Sequence, residues 1–296
     1  MDSRYIPVLA AMPAELASAL TPLLQRPFAG IISAAERQLL EQQSGLSDKA
    51  LLLALLPVAA ARAYVPISGF YVGAIAVGQS GNLYFGANME LPNQTLFHSV
   101  HGEQSAISNA WLAGETALTD MVINASPCGH CRQFMNELAT QGELRITLPE
   151  NGTQGLSHYL PYAFGPKNLG INYGLMQAPK FALSLSSCNP LTQSAVEQAE
   201  QSYAPYSQSP AAVVLETAEG RQFAGRYAEN AAFNPSLPPM QMALNAMMLA
   251  GVEFDQIDNA ILVETEGAQI SQAAASQTAL ASVSEVTLTI HNAKLA

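Results

Sequence analysis

Three side chains of the types that bind transition metals lie in two short stretches of the chain, and a carboxylate lies beside one of them. His101 and Glu103 stand in the sequence Val-His-Gly-Glu-Gln, and Cys128 and Cys131 stand in Ser-Pro-Cys-Gly-His-Cys. Two thiolates and one imidazole supply three protein ligands to zinc and leave a fourth tetrahedral position for water, as in a catalytic site. A carboxylate near that water can transfer protons without binding the metal. The residues therefore predict a catalytic zinc site with Glu103 as its general acid and base.

Two other interpretations of the cysteines remain open at this point. A structural zinc site has four protein ligands, and His98 or His130 is available as the fourth. A Cys-x-x-C pair also serves redox chemistry in cytoplasmic proteins, but a redox pair leaves His101 and Glu103 without a role.

Both halves of the candidate site are expected at the starts of helices. His101 lies in the first turn of a helix predicted over 100–113, and Cys128 lies in the first turn of a helix predicted from 128 to about Thr140, after a strand at 120–125. Helix starts offer unpaired N–H groups and a partial positive charge. We expect them to offset the negative charge of two thiolates, and we hypothesise that Arg132 acts in the same way.

The remaining pattern indicates a mixture of helices and strands. Apolar residues recur at helical spacing over 13–25, 34–43 and 48–64, whereas 71–77 and 83–88 flank a turn sequence and predict a hairpin. A short strand is predicted at 144–148, and the Gly- and Pro-rich stretch 149–170 has the character of a linker.

The second half of the chain repeats the first. Matches at a constant spacing pair Gly81 with Gly220, Gly86 with Gly225, and Glu90 with Glu229. The four residues of the candidate site are not repeated, because their counterparts are Pro238, Met240, Gly267 and Ile270. We interpret the second copy as a scaffold without a metal site.

Composition excludes several classes of function. The chain of 296 residues has 12 Lys and Arg against 23 Asp and Glu, a formal net charge of −11. Such a chain lacks the clustered cations that grip nucleic-acid phosphates or anionic membranes. The apolar run at 50–61 is too short to span a bilayer, no signal peptide is evident, and three cysteines make a poor disulfide framework. We expect a cytoplasmic enzyme.

The motifs resemble a known family. His-x-Glu followed by Pro-Cys-x-x-Cys is an established signature of zinc-dependent deaminases. The segments 70–74 (Phe-Tyr-Val-Gly-Ala) and 86–90 (Gly-Ala-Asn-Met-Glu) are similar to the substrate-binding segments of cytidine deaminase. Nearly the whole chain resembles the long, two-domain, homodimeric bacterial form of that enzyme.

This resemblance implies a fold and a division of the chain. The fold is α/β, with three-layer units in which a mixed sheet lies between helices, a helical N-terminal segment and a duplicated core. The expected parts are a helical segment at 1–48, a catalytic domain at 49–150, a linker at 151–185 and a degenerate second domain at 186–296.

The resemblance also implies the reaction and the roles of residues. Cytidine and 2′-deoxycytidine would be hydrolysed to the uridines and ammonia in pyrimidine salvage, with one Zn²⁺ per chain, a nucleoside as substrate, and neither nucleic acid nor membrane as a partner. The implied substrate contacts are Asn88 and Glu90 to the ribose, Phe70 and the Gly102 amide to the pyrimidine, and Phe164 in the pocket of a neighbouring subunit. The family commonly has Ala where this chain has Gly102.

Two competing functions are weighed against this one. Related folds deaminate bases within RNA or single-stranded DNA, but the charge of −11 disfavours that substrate. A zinc-stabilised scaffold or binding module would require four protein ligands and no water on the metal.

Overall fold

The N-terminal part of the protein is helical. The computed structural model describes residues 1–138, 142–186 and 188–296. Its first helices are α1 (Tyr5–Ala11), α2 (Ala14–Gln25), α3 (Ala34–Ser44) and α4 (Asp48–Ala60). The last three confirm the helices that the sequence predicts. The pattern does not reveal α1, because a helix of 7 residues spans only about two turns and shows little periodicity.

The first sheet has six strands and follows these helices. Its strands are β1 (Ile31–Ile32), β2 (Gly73–Gly78), β3 (Leu83–Ala87), β4 (Leu118–Ile123), β5 (Arg145–Leu148) and β6 (Gly152–Gly155), in the spatial order β1-β3-β2-β4-β5-β6. Only β4 and β5 run parallel, so the sheet is mixed, as expected. The predicted linker thus contributes one strand, β6, to this sheet.

Two helices that matter for the site follow β3 and β4. They are α5 (Gly102–Leu112) and α6 (Gly129–Met135), and a single-turn helix, α7 (Leu156–Tyr159), comes after β6. The helix predicted from 128 therefore ends at Met135, while its expected end at Thr140 lies outside the described residues.

The first sheet is buried on both faces. Every residue of β2 is buried, and alternate side chains enter different cores because successive residues of a strand point to opposite faces. Ile75 and Val77 pack with the N-terminal helices, whereas Ala74 and Ala76 pack on the side of α5. The arrangement is the predicted three-layer unit.

The second half builds a second mixed sheet of five strands. Its elements are β7 (Leu183–Ser184), α8 (Pro190–Glu200), β8 (Ala211–Thr217), β9 (Gln222–Arg226), α9 (Pro239–Leu249), β10 (Ile257–Thr265), α10 (Ala273–Ala281) and β11 (Leu288–Leu295). The order β9-β8-β10-β11 reproduces β3-β2-β4-β5 with the same strand directions.

The repeat extends to the register of strand pairing. Gly73 pairs with Ala87 in the first hairpin, and the residues at the repeat spacing, Ala212 and Arg226, pair in the second. The duplication predicted from the sequence is confirmed residue by residue.

The two copies share one hydrophobic core. Helix α5 of the first copy packs against α9 of the second, and Ala106, Ala110, Ala243 and Met247 belong to the same buried cluster. The two copies are therefore packed against each other and are not independent domains joined by a flexible linker.

One glycine in each copy allows a helix to lie directly on its strand. A Cβ on Gly86 would stand 2.1 Å from the backbone N of Ala106, and a Cβ on Gly225 would stand 2.0 Å from the backbone O of Pro239. Neither position has room for a methyl group, which explains why glycine occurs at both.

We therefore expect Gly86→Ala and Gly225→Ala each to lower the free energy of unfolding by about 1–3 kcal/mol, because each forces a helix away from its strand. Urea denaturation monitored by circular dichroism measures both. Parent-like stability of either variant would contradict the close helix–strand contact.

Candidate active site

Two of the three candidate metal ligands occupy the position that immediately precedes a helix. His101 caps α5 and Cys128 caps α6, both with extended backbone, and Cys131 lies in the first turn of α6. The sequence pattern predicts Cys128 one residue further into its helix and His101 two residues further into its helix than observed. The difference does not affect the expected electrostatics, because a capping side chain stays close to the free N–H groups of the helix start.

The three ligand atoms form a compact triangle. The Sγ atoms of Cys128 and Cys131 are 3.6 Å apart, and His101 Nδ1 lies 3.5 Å from the first and 3.2 Å from the second. Tetrahedral zinc with ordinary bond lengths has S···S edges of about 3.8 Å and S···N edges of about 3.6 Å. The donor set and its spacing therefore fit a zinc ion.

The protonation of this triangle also suits a cation. Hydrogen bonds from Cys131 and His101 lower the pKa of Cys128 to about 3, while the neighbouring Cys128 sulfur and burial raise the pKa of Cys131. The same contact with Cys128 raises the pKa of His101. Three groups that compete for protons at such short range are stabilised when a divalent cation replaces those protons.

No fourth side chain joins the triangle within the described residues, where His101, Cys128 and Cys131 are the one group of metal-binding side chains at this spacing. His98 instead hydrogen-bonds Gln241 Nε2 through its Nδ1 atom at 3.1 Å. The ring of His130 stacks on that of His101, with 5.1 Å between the ring centroids. Neither histidine completes a four-ligand structural site.

Glu103 lies two residues beyond His101 in the first turn of α5. Its side chain is only 4% exposed, and burial raises the pKa of its carboxyl group. The carboxyl also interacts with the Cys131 thiol. A desolvated carboxyl with a raised pKa can hold a proton as well as accept one, which suits it to proton transfer.

The triangle and Glu103 open into a cleft of about 440 Å³, a volume that suits a small organic ligand. Five of the residues expected to contact substrate or to act on it line this cleft: Phe70, Asn88, Glu90, Gly102 and Glu103. Residues to which the sequence assigns no individual role complete the wall: Ile67, Ser68, Val72, Met89, Leu96, Ser99, Val100, Ala125 and Ser126. Val72 and Met89 nevertheless lie in the two segments that resemble substrate-binding segments. Most are apolar or contribute backbone, so no residue-type signal distinguishes them, although Ser126 directly precedes the Pro-Cys motif.

The Asn88 side chain holds the segment that leads into β2 and also lines the cleft. Its Oδ1 accepts a hydrogen bond from the Val72 amide at 2.9 Å, and its Nδ2 donates to the Phe70 carbonyl at 2.9 Å. Asn88 thereby fixes the backbone beside the Phe70 ring, which is 61% exposed and available for stacking.

Glu90 has a scaffold contact that its counterpart in the second copy shares. The Glu90 carboxylate accepts hydrogen bonds from the amides of Ile67 and Ser68 at 2.8 and 3.0 Å. Glu229 accepts from the equivalent amides, Tyr206 and Ser207, at 2.7 and 3.1 Å. The sequence match between the two glutamates therefore reflects a turn contact that both copies need.

Gly102 and Phe164 differ in their relation to the cleft. A Cβ on Gly102 would stand 2.9 Å from Val72 Cγ1, so alanine here requires a small shift of that valine. Phe164 is not among the residues that line the cleft of its own chain. Its carbonyl accepts hydrogen bonds from Gln133 and Asn136, and its side chain is 46% exposed.

The Arg132 guanidinium, which we hypothesise to offset the charge of the thiolates, directs its hydrogen bonds to backbone carbonyls instead of to sulfur. It donates to the backbone carbonyls of Pro127 at 2.8 Å and Tyr159 at 3.0 Å. Arg132 therefore fixes the turn that leads into Cys128.

We predict that Cys131→Ser loses zinc, because the weaker oxygen ligand replaces a buried thiolate. Cys188→Ser is the matched control, since Cys188 is exposed and lies outside the triangle. Metal analysis of the purified proteins should find about one zinc per chain in the parent and the control and much less in Cys131→Ser. Equal zinc contents would reject the ligand assignment.

The chain is clearly similar to known proteins. Residues 46–143 and 156–277 match two family models, each described as the cytidine and deoxycytidylate deaminase zinc-binding region. The cytidine deaminase of Shewanella sediminis is 54% identical over 288 residues, with 97% of each chain covered, and that of Shewanella loihica is 53% identical over the same length. The crystal structure of the cytidine deaminase from Mycobacterium tuberculosis is 32% identical, with a TM-score of 0.37, and the match covers 40% of this chain and 99% of that chain.

Since the two Shewanella relatives match almost from end to end, and since both copies of the repeat match zinc-binding deaminase models, the chain belongs to the cytidine deaminase family.

Proposed function

We propose that this chain hydrolyses cytidine and 2′-deoxycytidine to uridine and 2′-deoxyuridine, with release of ammonia, in pyrimidine salvage. Membership of the family indicates deamination of cytidine. The roles of individual residues are proposed from the geometry of the site. One observation carries them: the triangle of His101, Cys128 and Cys131 lies beside the buried carboxyl of Glu103 at the base of a cleft.

His101, Cys128 and Cys131 are proposed to hold one zinc ion. When bound, zinc supplies acidification and positioning of the attacking water. Glu103 takes a proton from that water, delivers it to N3 of the pyrimidine, and then assists the departure of ammonia from C4. Its burial supports this role, because a desolvated carboxyl has a pKa closer to the operating pH than an exposed one.

Side chains remote from the reacting carbon align the substrate. We assign Asn88 and Glu90 to the ribose hydroxyls, since both line the cleft. Burial raises the pKa of Glu90, but the hydrogen bonds from Ser68 and Ile67 lower it by more, so the carboxylate is an ionised acceptor. Phe70 packs against the pyrimidine, and the Gly102 amide faces its polar edge. Binding energy from the ribose is thereby used to orient the ring.

We propose further that the protein acts as a homodimer in which Phe164 enters the neighbouring subunit's cleft. Phe164 is excluded from its own cleft, and Tyr162, two residues earlier, is fully exposed with a left-handed backbone (φ 55°). Large aromatic side chains exposed on one segment are typical of a surface that a partner covers.

The division into parts at 1–48, 49–150, 151–185 and 186–296 remains a proposal, supported by the two separate sheets. A cytoplasmic location is proposed because the site needs reduced thiols, and the three cysteines are free. In the part of the chain that the structure describes, no helix is long and apolar enough to cross a membrane.

We expect Glu103→Gln to retain zinc and to lower kcat for cytidine by about 10²–10⁴-fold, because the amide keeps the shape of the side chain but cannot move protons. Met240→Leu is the control, since Met240 occupies the matching position in the second copy and is fully buried. Ultraviolet monitoring of cytidine loss together with metal analysis tests both variants. Substantial turnover by Glu103→Gln would reject the proton-transfer role.

Glu90→Gln should lower kcat/KM for cytidine by about 10- to 100-fold, the value of a hydrogen bond to a charged group, and should reduce the preference for cytidine over free cytosine. Glu229→Gln makes the same change at the matching turn of the second copy, where it weakens the contact with the Tyr206 and Ser207 amides, and should leave that preference unchanged. Assays with both substrates distinguish a ribose contact from a loss of stability. An unchanged preference in Glu90→Gln would refute the ribose assignment.

A further inference from the structure

The short helix that carries both thiols is held at its far end by the second copy of the repeat. Glu137 follows α6, and its amide donates to the Phe134 carbonyl at 3.1 Å, so this residue is part of the last turn. The Glu137 side chain is fully buried. It belongs to no part of the proposed reaction, yet it is one of the most deeply buried acidic groups of the described chain.

Among the described residues, the donors to the Glu137 carboxylate come from the second copy. Tyr203 Oη donates to Oε1 at 2.8 Å, Tyr206 Oη donates to the same oxygen, and the Ala231 amide donates to Oε2 at 3.1 Å. Asn230 adds a fourth link, because its Nδ2 donates to the Gln133 carbonyl of α6 at 2.9 Å.

Helix α6 is short enough to transmit these contacts to the metal ligands. The Asn136 amide bonds the Arg132 carbonyl at 3.1 Å, and the Arg132 amide bonds the Cys128 carbonyl at 3.0 Å. A continuous series of backbone hydrogen bonds therefore runs from the Glu137 end of the helix to its cap. A rotation of α6 at one end must move the sulfur atoms at the other.

Within the described part of the chain, the first copy makes no matching contact with the second copy, although the repeat identifies the residues at the equivalent positions. Ser276 occupies the position of Glu137 in the second copy, and its buried hydroxyl has no hydrogen-bond partner. Ile67 occupies the position of Tyr206 in the first copy. The carboxylate and the second tyrosine therefore occur only in the pairing in which the second copy contacts α6. The shared scaffold does not require the carboxylate.

We propose that Glu137, Tyr203 and Tyr206 form a positioning cluster through which the second copy fixes α6 and so orients the thiols of Cys128 and Cys131. The inference rests on the proposed zinc site. Removal of one phenol leaves a buried carboxylate without one of its donors, which is costly in a low-dielectric interior. The helix end then relaxes, and the sulfur geometry relaxes with it.

The test compares Tyr206→Phe and Tyr203→Phe with Tyr227→Phe. Tyr227 is also a buried tyrosine of the second copy, but its hydroxyl contacts Ser236 and Gln272 rather than α6. Each full-length protein is loaded with zinc or cobalt. Three quantities are measured: zinc release to a colorimetric chelator, the cobalt–thiolate absorption spectrum, and kcat and KM for cytidine.

We expect the Tyr206→Phe and Tyr203→Phe proteins to release zinc about 10- to 100-fold faster, as when a residue that supports a metal ligand is changed. Their cobalt bands should shift, and kcat should fall by a similar factor with little change in KM. Tyr227→Phe should lower the thermal unfolding midpoint but keep parent-like metal release, spectrum and kcat. Since Tyr206 is only half-buried, its variant is expected to fold even if Tyr203→Phe does not.

Two results would overturn the inference. If the folded Tyr206→Phe protein has parent-like zinc release and a parent-like cobalt spectrum, the cluster is only a structural contact. The same conclusion follows if Tyr227→Phe changes zinc release and the cobalt spectrum as much as Tyr206→Phe does. Failure of the proposed function gives a different result, because the parent protein itself would then show no cobalt–thiolate absorption and no turnover of cytidine.

Discussion

The site depends on two helices that begin at the same place. His101 and Cys128 each cap a helix, and the three ligand atoms meet within 3.6 Å of one another only because α5 and α6 converge there. Two helix starts direct partial positive charge at a group of thiolates, which lowers the cost of holding negative charge in a half-buried place. The close approach of α5 to its strand at Gly86 keeps one of these starts in position.

The duplication separates what the scaffold needs from what the chemistry needs. Both copies keep the strand register, the tight glycine and the glutamate that closes a turn. Only the first has the candidate ligands His101, Cys128 and Cys131 together with Glu103. Glu90 serves both the scaffold and the site, because it closes a turn and lines the cleft. A side chain that is already fixed by a structural contact presents a rigid hydrogen-bond acceptor to a ligand.

Much of this could be predicted from the sequence, and the failures have physical causes. The ligand triangle and the repeat were evident because they depend on residue type and spacing, which folding preserves. The contacts of Arg132 were not, because a guanidinium beside a cysteine in sequence is free to reach carbonyls on other segments, as it does at Tyr159. The role of Glu137 was also hidden, because its partners come from distant parts of the chain.

The single core that joins α5 to α9 has a consequence for how this protein can change. The candidate site lies in the first half of the chain, but an excised first half would expose the apolar face of α5 to water. The second half, whose described residues contain no such cluster of metal-binding side chains, therefore cannot be deleted without exposing this face. We expect the second half to tolerate substitution on surfaces that do not contact the first half.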